Sequence, residues 1–131
     1  MLLVPTLEIV LVRNKATEEP RIRIPGGKMP KVTEQTVEEV LFSKIEKQTG
    51  IDLSLNKLDF LFQFLPRTKK RYHVYSCIIT DATGLHEEPI QDGSNTLEVM
   101  RVDPSKVGEL VMTSCHQKIF QLGIEEMYKL L

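Results

Sequence analysis

The sequence predicts one α/β domain, a sandwich built around a mixed sheet, and three observations carry that prediction. Short β-rich segments and two helical segments follow one another in the order β, β, α, β, β, β, α, which is not a regular βαβ repeat. The helical segments, about 36–48 and about 114–131, place apolar residues three and four apart. At 131 residues the chain is the length of one domain, 1–131, and is long enough to bury a core without disulfide or metal staples.

Each element has its own local signal. The apolar start MLLVPTLEIVLV reads as an N-terminal strand, best defined over Leu7 to Arg13. It lacks the basic region and small-residue cleavage site of a secretory leader, so a cytoplasmic location is expected. A loop, NKATEEP, ends the pairing. Arg21 to Ile24 alternates charged and apolar residues, the period of a half-buried strand, and Pro25-Gly26-Gly27 stops it. Thr36 and Glu39 are spaced as a capping box at the start of the first helix. Val37, Val40, Leu41 and Ile45 form its apolar stripe, and Gly50 stands where a left-handed C-terminal residue is wanted. Leu58 to Leu65 and Tyr72 to Thr80 are strand-like, with Pro66 to Arg71 as the hairpin connection. Asp81 to Thr96 reads as a long polar loop and Leu97 to Val102 as a short strand. Asp103-Pro104-Ser105 begins a brief helical turn. In the closing helix, from about Ser114, Phe120, Ile124, Met127 and Leu131 share a face.

Composition excludes several function classes. Net charge is −1, so the molecule as a whole does not seek nucleic acid or membrane, and any preference must come from local clusters. No run approaches the ~18 apolar residues of a membrane span. Cys77 and Cys115 lack metal-ligand spacing and read as two buried thiols. His86 and His116 have no Cys, Ser or Asp at a catalytic spacing, and no Walker or dinucleotide-binding signature is present.

The segment from Pro25-Gly26-Gly27-Lys28 to Thr49-Gly50-Ile51 resembles the Nudix box of the Nudix (MutT-like) hydrolases. The first four residues look like the strand-ending turn of the box. Thr36-Val37-Glu38-Glu39-Val40-Leu41-Phe42 looks like the start of its helix, and Thr49-Gly50-Ile51 like its end. The resemblance implies a Nudix-type α/β/α sandwich over nearly the whole chain. Counting back from Gly50, the Arg-Glu pair of the family falls on Ser43-Lys44 and its Glu-Glu pair on Lys47-Gln48. The earlier glutamate falls on Gln35, and the loop between Gly27 and Gln35 is two residues longer than usual. In the family those glutamates gather a divalent ion that bridges diphosphate oxygens and activates water. Lysine and glutamine supply no negative charge, so the resemblance implies a degenerate box and no metal at this helix.

At about 100° per residue, Lys44 and Gln48 project from within the apolar stripe, with Lys47 at its edge. A polar side chain in such a stripe marks a site, or else a lysine stem reaching past its neighbours to solvent. Between Phe64 and His73 stand Arg67, Lys69, Lys70 and Arg71, with no acid; Lys28 and Lys31 belong to the box region. Tyr72, His73 and Tyr75 offer rings to a base. The alternative for the hairpin is charge kept for solubility and for blunting edge pairing. The expected ligand-binding set is Gly27, Lys28, Lys44, Lys47, Gln48, Arg67, Lys69, Lys70 and Arg71. The function expected is non-catalytic binding of a nucleotide, nucleotide derivative or RNA, with no cofactor. One rival is a rewired hydrolase of nucleoside diphosphate derivatives using Glu34 with Glu98 or Glu88; it alone requires Mg²⁺. The other is a regulatory module, a homodimer or a protein-partner domain, whose cleft is unused. Glu38, Glu39 and Glu46 read as the solvated side of the helix.

Overall fold

A computed structural model describes residues 1–16, 21–29, 34–66 and 70–131. Among the described residues there are seven strands: β1 Leu2–Leu3, β2 Ile9–Asn14, β3 Arg21–Arg23, β4 Leu58–Phe64, β5 Tyr72–Ile78, β6 Ile90–Asp92 and β7 Asn95–Val102. Two α-helices accompany them, α1 Val37–Thr49 and α2 Ser114–Tyr128, with short 3-10 turns at Leu53–Leu55 and Pro104–Glu109.

The strands form one mixed sheet in the order β4-β5-β1-β2-β7-β6, with β3 also paired to β2. All pairs are antiparallel except β1 with β5, which sets Leu2 beside Cys77 and Leu3 beside Ile78. β7 runs along the whole of one edge of β2. On the other edge β1 pairs at Ile9 and Val10 and β3 at Val12 to Asn14. The sheet continues from β1 to β5 while β3 leaves, so a cleft opens between β3 and β5.

Alternation along the central strands builds two cores. Leu3, Ile9 and Leu11 pack with Ile119, Phe120 and Met127 of α2. Leu2, Val4 and Val10 point the other way, onto Ile45 of α1 and onto Ile51 and Leu53. Both faces are covered, which is why Ile9-Val10-Leu11-Val12 is an unbroken apolar run rather than an alternating one. This is the expected α/β/α sandwich.

Four expectations need correction. The N-terminal segment is two strands, because Pro5-Thr6-Leu7 turns back. Leu7 takes φ 65° and its N–H donates to the Val4 carbonyl at 2.8 Å. The supposed loop 81–96 contains β6, which pairs with β7 through a tight turn at Gly93, φ 62°. An Asp-Gly turn is a hairpin signal, masked here by the surrounding polarity. The last helix ends at Tyr128, and Leu131 lies beyond it, 61% exposed, not on the buried face. Cys77 is buried but Cys115 is only half-buried.

The first helix begins and ends as its residues require. Thr36 Oγ1 accepts from the Glu39 amide at 3.1 Å. Gly50 closes the helix at φ 86°, its N–H donating to the Glu46 carbonyl at 2.8 Å. No side chain fits at Gly50, since a Cβ would meet the Gly84 carbonyl. Val40 and Ile45 are buried, while Val37 is 38% exposed. Val37 lies over the cleft rather than in the core.

Candidate functional site

The cleft between β3 and β5 has a volume of about 730 Å³, inside the range usual for small-molecule sites. Its walls are the end of β3 with the turn after it, the inner face of α1, the start of β5 and the first turns of α2. Five cationic side chains line it, Arg23, Lys28, Lys44, Lys70 and Arg71; among the described residues no carboxylate does. In a chain of net charge −1 this is strong segregation of charge.

Lys44 owes its position to Gly27. A Cβ on Gly27 would lie 3.2 Å from Lys44 Nζ and 3.3 Å from its Cδ. The missing side chain lets the lysine stem lie along the turn, half-buried, with its ammonium at the cleft. Lys44 thus lines the cleft with its stem along the turn.

Gln48 takes a different part from the one expected. It is buried, and its amide grips the turn at both ends: Oε1 accepts from Gly26 N–H at 2.9 Å, and Nε2 donates to the Gly26 carbonyl at 2.7 Å. Both polar ends face backbone, so Gln48 supports the wall and does not line the cleft. Lys47 also lies outside the lining. Its ammonium pairs with Asp92 at 2.9 Å, tying α1 to the β6–β7 hairpin, and this pairing holds the Asp92 carboxyl below its ordinary range.

Of the expected ligand-binding set, Gly27, Lys28, Lys44, Lys70 and Arg71 come together in the cleft. Arg67 and Lys69, with Lys31, lie outside the described residues. The acidic candidates do not converge. Glu34 is exposed ahead of α1, and Glu98 is paired with Lys15 at 2.9 Å. Among the described residues no three His, Cys, Asp or Glu side chains are grouped as metal ligands. The cleft does not fit Mg²⁺, a hard cation that takes carboxylate oxygens, because its lining repels cations.

Aromatic and imidazole groups complete the walls. Tyr72, His73 and Tyr75 line the cleft from β5. Phe60 of β4 meets Tyr75 edge-on, ring centroids 5.4 Å apart. Burial, and then the Glu38 carboxylate, hold the Tyr75 phenol above its ordinary pKa, so it is a hydrogen-bond donor at neutral pH. Glu38, exposed as expected, therefore still acts on a wall residue.

Arg23 and His116 were not among the expected site residues. Arg23 sits at the last position of the alternating strand, a place that could have flagged it. His116 gave no local signal, because only the docking of α2 brings it here. Its Nδ1 accepts from Ile24 N–H at 3.2 Å. Burial, then the charge of Arg23, lower its pKa below 6.5. The neutral ring therefore carries its proton on Nε2. His86 likewise finds long-range partners. Its amide donates to the Thr49 carbonyl at 2.9 Å, and its Nε2–H meets the Lys47 carbonyl at 3.2 Å, satisfying the open end of α1.

No protein-family model matches the sequence, and no curated protein matches it as a relative. Solved structures do match. The Nudix domain of Shewanella oneidensis NrtR, solved with ADP-ribose, superposes with a TM-score of 0.74 at 14% identity, covering 96% of this chain and 83% of that one. MutT, from a study of the Aliivibrio salmonicida and Vibrio cholerae proteins, gives 0.66 at 12% identity over 92% and 88%. RenU, a Nudix hydrolase from M. smegmatis, gives 0.59 at 14% identity over 98% and 84%. No helix among the described residues is long and apolar enough to cross a membrane. Sheet order, the turn-and-helix frame and these superpositions agree, and the chain has the Nudix fold.

Proposed function

We propose that this domain binds a phosphate-bearing small molecule in the cleft, without a metal ion and without hydrolysing it. Nucleotides and their derivatives are the class to try first. One observation carries the reading: five Lys and Arg side chains and no carboxylate among the described residues of the cleft. Ammonium and guanidinium groups donate charge-assisted hydrogen bonds to phosphate oxygens and neutralise them. A divalent ion serves the same end elsewhere by bridging the oxygens. Here Lys44 is the cation that α1 itself contributes to the cleft, packed on Gly27 of the Gln48-braced turn. The NrtR neighbour was solved with ADP-ribose, which makes that compound a sensible first probe. An RNA 5′ end offers the same phosphate chemistry and is an outcome of the same screen.

The test is a panel of nucleoside diphosphate derivatives assayed for turnover with Mg²⁺ and Mn²⁺ and for thermal stabilisation. Stabilisation without turnover is expected, by ~2.7 kcal/mol at 100 times the dissociation constant. Metal-dependent turnover that survives Lys44→Ala would overturn the proposal, and its loss in Glu34→Gln or Glu98→Gln would identify a rewired hydrolase. A flat melting screen would point to an unused cleft and a regulatory role.

A further inference from the structure

The cleft lining is as notable for what it omits as for its charge. Among the described residues it contains no Asp, Glu, Asn, Gln, Ser or Thr. Its side chains are cations, aromatic or imidazole rings, and aliphatic groups. Lys and Arg only donate, so among the described residues the nitrogen and oxygen acceptors of the side chains are confined to the tyrosines and histidines. One of those, His116 Nδ1, is already occupied by Ile24 N–H. A ligand rich in hydroxyls, such as one carrying two riboses, needs acceptors as well as donors, and each buried hydroxyl left unpaired weakens binding. The floor beneath the cations is aliphatic instead. Leu2, Ile45 and Leu53 are buried there, and Leu41 and Leu58 are partly open to the cleft.

We infer that the ligand is an amphipathic phosphoester: a phosphate or diphosphate head held by Lys44, Lys28, Lys70 and Arg71, on an alkyl, prenyl or aryl body that lies on the leucine floor. This rests on the metal-free phosphate reading above and narrows the organic part of the ligand. The charge of the lining selects the head, and the scarcity of side-chain acceptors among its described residues, together with the aliphatic floor, selects the body. A cleft of about 730 Å³ accommodates such a molecule.

The test is calorimetric titration in EDTA of the whole chain with n-alkyl phosphates from methyl to hexyl, alongside inorganic pyrophosphate and ADP-ribose. Affinity should rise about fourfold for each buried methylene, and hexyl phosphate should bind more tightly than ADP-ribose. Hexyltrimethylammonium, which has the same chain and the opposite charge, should not bind. Leu41→Asn on α1 and Leu58→Asn on β4 should each flatten the rise across the series. Using two elements guards against one variant failing to fold. A flat series in which phosphates still bind would overturn the inference and leave the metal-free reading standing. ADP-ribose binding more tightly than hexyl phosphate would do the same. If no phosphate in the series binds, both readings fail.

Discussion

Replacing Gln48 by glutamate exchanges one oxygen-bearing side chain for another, yet the structure predicts a clear and pH-dependent cost. The glutamine amide accepts from Gly26 N–H at 2.9 Å and donates to the Gly26 carbonyl at 2.7 Å, at a position 6% exposed. Glutamate keeps the acceptor but, when ionised, cannot donate, and it sets a carboxylate oxygen against a carbonyl. Losing one buried hydrogen bond and leaving its partner unsatisfied costs about 1–3 kcal/mol. For a domain of this size, ~2 kcal/mol lowers Tm by roughly 6–10 °C. Burial and the facing carbonyl both favour the neutral acid, so the folded-state pKa of the new carboxyl lies above the unfolded value of ~4.3. The folded state then holds the proton more tightly. The deficit is least below about pH 4, where the protonated acid can donate to Gly26, and widens as pH rises through the raised pKa. The assay is chemical denaturation of both proteins from pH 4 to 8, with Gln48→Leu as a control that has no proton to gain. A deficit that is independent of pH, or below about 0.5 kcal/mol, would refute the two-point clamp.

Four further outcomes follow from the same geometry. Lys44→Ala should weaken binding of pyrophosphate by about tenfold or more, since it removes a charged donor from the cleft. Lys47→Ala, whose ammonium faces Asp92, should change the affinity far less in the same titration. Gly50→Ala should destabilise by about 2 kcal/mol or more in denaturant melts, because φ 86° disfavours a side chain and the Cβ would meet the Gly84 carbonyl. His116 should make the protein acid-sensitive. Its folded pKa lies below 6.5, so the unfolded chain binds the extra proton first. Its contribution is full above that value and is lost as pH falls below it, and His116→Gln should flatten the stability profile between pH 7 and 5.

Much of the fold was readable because its signals are local. The capping threonine, the apolar stripe and Gly50 define α1 within a residue or so of its observed ends. The hairpin of β6 and β7 was missed because a three-residue strand in a polar stretch has too few apolar positions to show a period. The site was readable in part. A lysine within an apolar helical stripe is a signal that sequence carries, and Lys44 does line the cleft. Gln48 was misjudged, since helical projection shows direction but not which backbone group waits there. His116 enters through packing between segments far apart in the chain, which no window of sequence contains.

On the proposed reading, lysine charge does in this cleft what a metal ion does elsewhere. Titration of the protein with inorganic pyrophosphate in EDTA, repeated with excess Mg²⁺, tests it most directly. Binding in EDTA is expected, weakening steeply with salt and not strengthened by Mg²⁺. Binding that appears only when Mg²⁺ is added would contradict it.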